Sequence, residues 1–148
     1  MFQPHRRLVL LAFVALVLTL GVSGCARTAP TWVDEGATYT TATVARLLDN
    51  ADISRIAGRP TTDATKLRHE ALSSLRRQGA SASSVADILT STFQPDTRGV
   101  PVYIEKASLE GTPVVIVVEA TGSKTGTLKT KRLWVLGEDG SVYLARTR

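Results

Sequence analysis

The chain has 148 residues, the length of a single domain. Its 18 Lys+Arg against 13 Asp+Glu give a net charge of +5, and 43% apolar with 21% charged residues is a globular rather than a disordered composition. One cysteine and two histidines exclude an intrachain disulfide and a Cys/His zinc site of the four-ligand kind. We therefore expect no metal and no cofactor.

The first residues have the organisation of a secretory signal. Arg6 and Arg7 precede residues 8–20 (LVLLAFVALVLTL), which are apolar at 12 of 13 positions, and small residues follow. As a helix rising about 1.5 Å per residue, this run spans roughly 20 Å, short of the ~30 Å hydrocarbon core. A signal segment is therefore favoured over a permanent transmembrane anchor.

The end of this run carries a more specific motif. Val22, Ser23, Gly24 and Cys25 resemble the bacterial lipobox, in which an aliphatic and two small residues precede a cysteine. The resemblance covers residues 1–25 and implies that Cys25 receives a diacylglyceryl group. It also implies that lipoprotein signal peptidase cleaves between Gly24 and Cys25, which leaves the protein lipid-anchored on the extracytoplasmic face of the bacterial cell membrane. The alternatives for Cys25 are a free thiol or a catalytic thiol, and the latter needs a neighbouring base that the adjacent sequence does not supply.

The export route stays open. Twin-arginine export would use Arg6 and Arg7, but the usual Ser/Thr before the pair and Phe after it are missing. Ordinary positive charge ahead of the apolar run is the simpler interpretation.

Cleavage would leave 124 residues and, with Arg6 and Arg7 removed, a net charge of +3. Residues 25–40 contain Pro and Gly without an apolar period, so we expect a tether there and one α+β domain over 41–148. We expect Tyr39 to dock on the domain. Trp32 either docks or lies among the lipid headgroups.

Three helices are predicted after the tether. Apolar residues at i, i+3, i+4 and i+7 predict a helix over about 41–50, which either stops there or continues toward Gly58. The second is predicted over about 62–78 and the third over about 83–93, ended by Gly79 and Pro95. In the second helix, Arg68 is expected to lie off the apolar stripe.

Four strands are predicted at 100–109, 112–120, 127–136 and 141–146, and their short connections predict an antiparallel meander. The unbroken apolar run at 114–118 predicts a central strand with both faces covered. Helices followed by strands predict an α+β fold, with about three N-terminal helices packed on one face of a four-stranded antiparallel sheet. A curved sheet of this kind resembles cystatin-like or nuclear-transport-factor-2-like folds, although the strand between helices that is usual in the latter is missing.

The motifs with enzymatic precedent are incomplete. The loop Lys124-Thr125-Gly126 is similar to the KTG motif of serine β-lactamases, but the Ser-x-x-Lys nucleophile is absent. His69, between Arg68 and Glu70, has Ser73 at i+4, but a Ser-His pair alone is not a nucleophilic system without an orienting acid and an oxyanion site. Residues 75–93 have a helix-turn-helix outline, but the second helix offers small and acidic side chains, so we expect no nucleic-acid binding. We predict no catalytic residue.

Two glutamates fall on neighbouring predicted strands. We expect Glu105 and Glu119 to form cross-strand pairs with Lys106, Lys129 or Lys131. If the fold gathered two acids in one cleft, the protein could instead be a small envelope enzyme. An apolar cavity between helices and sheet would favour a small-ligand-binding lipoprotein.

The third predicted strand is basic and partly aromatic. Lys129, Lys131, Arg132 and Trp134 form a candidate binding face for an envelope protein, an anionic polymer or anionic lipid heads, with a solvated sheet face as the alternative. The Ala-, Thr- and Arg-rich mature chain is similar in composition to uncharacterised actinobacterial lipoproteins, which implies no particular activity. The preferred hypothesis is a membrane-anchored extracytoplasmic lipoprotein that acts as a non-catalytic binding or assembly module, with the membrane as partner through the lipid on Cys25.

Overall fold

The computed structural model of the protein describes residues 28–95 and 97–148. The predicted signal segment, the cleavage site between Gly24 and Cys25 and the lipid attachment at Cys25 lie outside the described residues, as does Asp96. Within the described ranges, none of the helices is long and apolar enough to cross a membrane.

Two short strands come first in the described chain, and the helices follow. The strands are β1 (Thr31–Val33) and β2 (Thr38–Tyr39). The helices are α1 (Thr41–Val44), α2 (Arg46–Asn50), α3 (Ala64–Arg76) and α4 (Ala80–Thr92), with a 3-10 turn at Thr61–Asp63 before α3. The longer strands are β3 (Val100–Leu109), β4 (Thr112–Thr121), β5 (Thr130–Leu136) and β6 (Val142–Thr147).

The strands form one mixed sheet in the order β1-β3-β4-β5-β6, and β2 also pairs with β3. Neighbours from β3 to β6 are antiparallel, as the four predicted strands required, and the α+β class is confirmed. The prediction of a purely antiparallel four-stranded sheet is wrong, because β1 and β2 run parallel to β3. Both lie inside the expected tether and precede the helices. Strands of three and two residues are too short to show an apolar alternation, and they are held by main-chain bonds to the edge of β3.

The helices cover both faces of the sheet. Val115 and Val117 of β4 pack in one core cluster with α3 and α4, whereas Val114, Ile116 and Val118 pack in another with α1 and α2. This confirms β4 as a central strand covered on both sides. It also corrects the expectation that the helices pack on one face, since successive side chains of a strand point in opposite directions.

Most helix ends have local causes. Thr40 caps α1 in a reciprocal capping box with Thr43. The predicted first helix is broken at Ala45 into α1 and α2. Gly79 has φ +126°, a conformation that glycine adopts readily, and it lets the chain turn from α3 into α4.

A buried carboxylate holds β2 and the preceding loop against β3. Glu105 is 2% exposed, and it accepts hydrogen bonds from the Ala37 amide (2.9 Å), the Tyr39 hydroxyl (3.0 Å) and the Tyr103 hydroxyl (2.7 Å). A Cβ on Gly36 would overlap this carboxylate, so a glycine permits the close approach. Tyr39 therefore docks as predicted. Trp32 also docks, half-buried against the cluster that α3 and α4 form with the sheet.

The Tyr39 hydroxyl supplies a pH-dependent test of this arrangement. Burial, followed by the hydrogen bond to Glu105, raises the pKa of Tyr39 from 10.0 to about 12. The folded state therefore favours the neutral phenol. Its contribution to stability is complete below about pH 10 and is lost as the pH rises toward 12.

We expect the tyrosinate absorbance of the wild type to contain a transition near pH 12 that Tyr39→Phe lacks. The difference in unfolding free energy between the two proteins should shrink between pH 10 and pH 12, measured by chemical denaturation. If the transition that Tyr39→Phe lacks were instead centred near pH 10 in the wild type, Tyr39 would be solvated rather than docked.

Candidate functional site

Helix α3 and strand β4 bring together a buried ion pair. Arg68 and Glu119 are 6% and 0% exposed. The Nη1 of Arg68 pairs with Oε1 of Glu119 and donates to the Gly99 carbonyl at 2.8 Å, while Nε1 of Trp134 donates to Oε2 of Glu119 at 2.8 Å. Each carboxylate oxygen of Glu119 thus has a donor, and the pair ties α3 to the sheet.

This position of Arg68 corrects the expectation that it lies off the apolar stripe. Arg68, Leu72 and Leu75 stand at i, i+4 and i+7 and share the inward face of α3. The spacing was readable in the sequence. The partner was not, because Glu119 lies 51 residues away along the chain.

An aromatic stack surrounds the ion pair. The guanidinium carbon of Arg68 lies 5.0 Å from the centre of the Phe93 ring, and the Phe93 and Trp134 rings are 5.1 Å apart. On the far side, the Arg132 guanidinium carbon lies 5.5 Å from the centre of the Trp134 ring. Cations at these distances are attracted by the negative ring face. The stack therefore orders the two arginines and both rings together.

A cavity of about 750 Å³ lies between α3, α4 and residues 93–95. Leu72, Leu89 and Phe93 supply its apolar wall, and Arg68 lies at its base. The remaining titratable side chains among its described lining residues are Lys66, His69 and Arg76. Volumes of about 300–1,000 Å³ with an apolar wall and a few polar groups are typical of small-ligand sites. We call this cavity the α3/α4 groove.

The structure separates the four residues of the predicted binding face. Arg132 and Trp134 lie on the α3/α4 side of the sheet, where Trp134 reaches Glu119. Lys131 lies on the opposite side and donates to the Asp49 carbonyl at the end of α2 (3.0 Å), and Lys129 lines the same surface cavity as Lys131. The four residues therefore do not share one face of the sheet, because neighbouring strand residues alternate between faces.

Lys129 and Lys131 instead join a basic cluster at the chain terminus. They line a surface cavity of about 370 Å³ with Arg148, whose guanidinium pairs with Asp49. An adjoining cavity of about 480 Å³ adds Arg46 and Arg146. Arginine and lysine thus dominate this corner of the molecule.

The expected cross-strand pairs of Glu105 and Glu119 with lysines are not formed. Glu105 lies on the α1/α2 side and binds tyrosines, whereas Glu119 lies on the α3/α4 side and binds Arg68. The register explains this, because it places Ile116 opposite Glu105 and Arg132 opposite Glu119, whereas the lysines Lys106 and Lys131 lie opposite Val115 and Ala120. In residues 28–95 and 97–148, no group of three or more His, Cys, Asp or Glu side chains could hold a metal ion.

No family model matches the chain, and searches of curated proteins and of solved structures found no match to it.

The buried ion pair predicts an unequal response of two arginines on one helix. Arg68→Met leaves the Glu119 charge buried without its counter-charge, and we expect the unfolding free energy to fall by about 3–5 kcal/mol. Arg76→Met removes a partner of Asp87 at the surface, and we expect a loss of less than about 1 kcal/mol. Chemical denaturation measures both. Equal losses in the two variants would contradict the assignment of Arg68 to a buried ion pair. The unfolding free energy of Arg68→Lys should lie between those of wild type and Arg68→Met, because lysine keeps the charge but lacks the planar guanidinium.

Proposed function

We propose that the protein is a membrane-anchored extracytoplasmic lipoprotein whose domain acts as a non-catalytic binding or assembly module in the cell envelope. The observation that carries the anchor is the order of residues 1–25, in which a basic head and a short apolar run lead to Val-Ser-Gly-Cys. A lipidated Cys25 with two or more acyl chains would anchor the protein stably, because each buried CH₂ contributes about 0.8 kcal/mol.

The position of the first strand limits how far the domain could lie from an anchor at Cys25. Strand β1 begins at Thr31, six residues after Cys25. At about 3.3–3.6 Å per extended residue, Thr31 would lie within roughly 20 Å of Cys25. Only residues 26–30 would then separate the lipid-bearing Cys25 from the sheet, and the domain would stay close to the bilayer.

The positions of the buried acids support binding over catalysis by paired carboxylates. An acid/base pair of carboxyl groups needs a separation of about 5–10 Å across one substrate site. Glu105 and Glu119 instead lie on opposite sides of the sheet, and both oxygens of each carboxylate accept hydrogen bonds. Their bonding is that of structural groups.

Metabolic labelling with a clickable fatty acid tests the anchor. We expect covalent label on the wild type and none above background on Cys25→Ser, which lacks the acceptor thiol. Ser23→Ala is the matched control, because it keeps a small residue before the cleavage site and should be labelled like the wild type. Equal labelling of wild type and Cys25→Ser would refute the lipoprotein proposal.

A second candidate function is the binding of a small amphipathic anion, and the α3/α4 groove favours it. Its wall offers Leu72, Leu89 and Phe93 to an apolar body, and its basic side chains offer hydrogen-bond donors to a carboxylate or phosphate. In this second candidate function the protein is still anchored to the membrane, and its domain carries a small ligand.

The groove can be tested by filling it. Thr65 is an exposed lining residue of α3, and we expect Thr65→Trp to weaken binding of the probe 2-naphthoate by about tenfold or more. Ser84→Trp, on the exposed side of α4 and away from the groove, should bind like the wild type. Ligand-observed NMR on the detergent-purified full chain measures both, with neutral 2-naphthalenemethanol as the comparison. Equal binding by all three proteins would exclude the groove as the site.

A further inference from the structure

The sheet has two chemically different ends. One end, which we call the entry end, is where β1 and β3 begin, β4 stops, β5 begins and β6 stops. The other, which we call the turn end, carries the β3–β4 turn and the β5–β6 turn, and the loop after β1 runs beside residues 105–108 in the half of β3 nearer to it. The strand directions in the mixed sheet fix this division.

The entry end is rich in cations, and all of them except the half-buried Lys131 are exposed. Arg55 lies beside the start of the described chain. The Arg59 carbonyl accepts a hydrogen bond from the Leu128 amide just after the 122–126 loop, and Arg98 donates to the Lys124 carbonyl within that loop. Main-chain hydrogen bonds join Lys131 to the C-terminal Arg148. The cations there are Arg55, Arg59, Arg98, Lys124, Lys129, Lys131 and Arg148. These cations come from five separate segments of the chain, so no single basic run in the sequence predicts that they lie together.

The described carboxylates at the entry end are largely engaged. Asp49 pairs with Arg148, and Asp63 pairs with Arg59 at 3.4 Å. Asp52 accepts a hydrogen bond from the Ser54 amide at 2.8 Å, which is the main reason that its pKa is lowered. Lys124 and Lys129 remain exposed, and cations exceed carboxylates among the described residues of this end.

The turn end carries the opposite charge. Asp34 and Glu35 follow β1, Glu110 occupies the β3–β4 turn, and Glu138 and Asp139 occupy the β5–β6 turn. All five are exposed, and residues 34–37, 110–111 and 137–140 contain neither lysine nor arginine. The long axis of the strands therefore runs from a basic end to an acidic end.

The chain enters the fold at the basic end. Thr28 and Ala29 line a cavity with Arg55 and with Pro101 at the start of β3. Cys25 precedes Thr28 by three residues, a reach of about 10 Å when extended. This reach is close to the screening length of about 8–10 Å at physiological salt, so the entry end would feel the field of a charged bilayer that holds Cys25.

We propose that the entry end is a membrane-contact surface that binds anionic lipid headgroups and stands the strands upright, with the acidic turn end facing away from the bilayer. This inference rests on the proposed anchor at Cys25. The headgroup phosphates complement the lysines and arginines of the entry end, and a negative surface repels the acidic turns. A domain tethered by so short a segment would otherwise be free to present either side to the lipid.

The test uses the full-length, lipidated protein in vesicles of phosphatidylcholine with or without phosphatidylglycerol. A water-soluble acetylating reagent measures the reactivity of Lys131 at the entry end against that of Lys106, which lies nearer the turn end on β3. We expect phosphatidylglycerol to slow acetylation of Lys131 by about threefold or more and to leave Lys106 unchanged, and high salt should reverse the slowing.

Two charge-reversal variants make the test specific. Lys124→Glu/Lys129→Glu changes exposed residues of the entry end and should abolish the lipid-dependent slowing at Lys131. Arg76→Glu/Arg77→Glu gives the same change in net charge at the C-terminal end of α3, which lies away from the entry end, and it should retain the slowing.

The outcomes separate this inference from the proposed anchor. Intact mass shows whether Cys25 carries lipid, and its absence would contradict the anchor. Lipidated protein whose Lys131 reacts equally in both vesicles, or whose Lys106 is slowed to the same extent, would overturn the membrane-contact surface alone. Slowing by soluble polyphosphate but not by phosphatidylglycerol vesicles would also overturn it, and would assign the entry end to an acidic polymer.

Discussion

Strand β4 places apolar side chains on both faces of the sheet, and the helices and neighbouring strands shield both faces from solvent. Val115 and Val117 need a cover on one side, and Val114, Ile116 and Val118 need one on the other. The two longer helices cover the first side, and the short α1–α2 segment covers the second. An apolar strand of this kind at a sheet edge would invite pairing with other chains, so β3 and β5 on its flanks also protect it.

The covering of both faces of β4 also explains the positions of the two buried glutamates, Glu105 and Glu119. Glu119 continues β4 beyond its apolar run while still pointing into the α3/α4 side, so its charge needs a counter-charge from α3. Arg68 supplies it, and Phe93 and Trp134 close around the pair. On the other side of the sheet, the buried charge of Glu105 is stabilised by hydrogen bonds from neutral donors. Each carboxylate fixes one long-range contact, which gives the helices and the first strands a single register against the sheet.

The sequence predicted the elements that have their own local pattern. The bounds of β3–β6 agree with the predicted strands to within three residues, because turn residues such as Glu110-Gly111 and Gly137–Gly140 mark their ends. The strands β1 and β2 were missed because they are too short to alternate. The partner of Arg68 required a contact over 51 residues, which no local pattern encodes. The separation of Lys131 from Arg132 could have been read from strand alternation once a strand over 127–136 was predicted.

Charge in this protein matters through its placement more than through its total. A net charge of +3 for the chain after Cys25 is mild, and spread evenly it would attract a membrane only weakly. The mixed sheet concentrates it, because β1 runs parallel to β3 while β6 returns to the start of β5, which brings Thr31 and Arg148 to the same end. Basic loops gather at that end, and the tight turns that suit Asp, Glu and Gly gather at the other. The short parallel strand β1, which the sequence did not reveal, is thus what joins the proposed anchor to the basic end of the molecule.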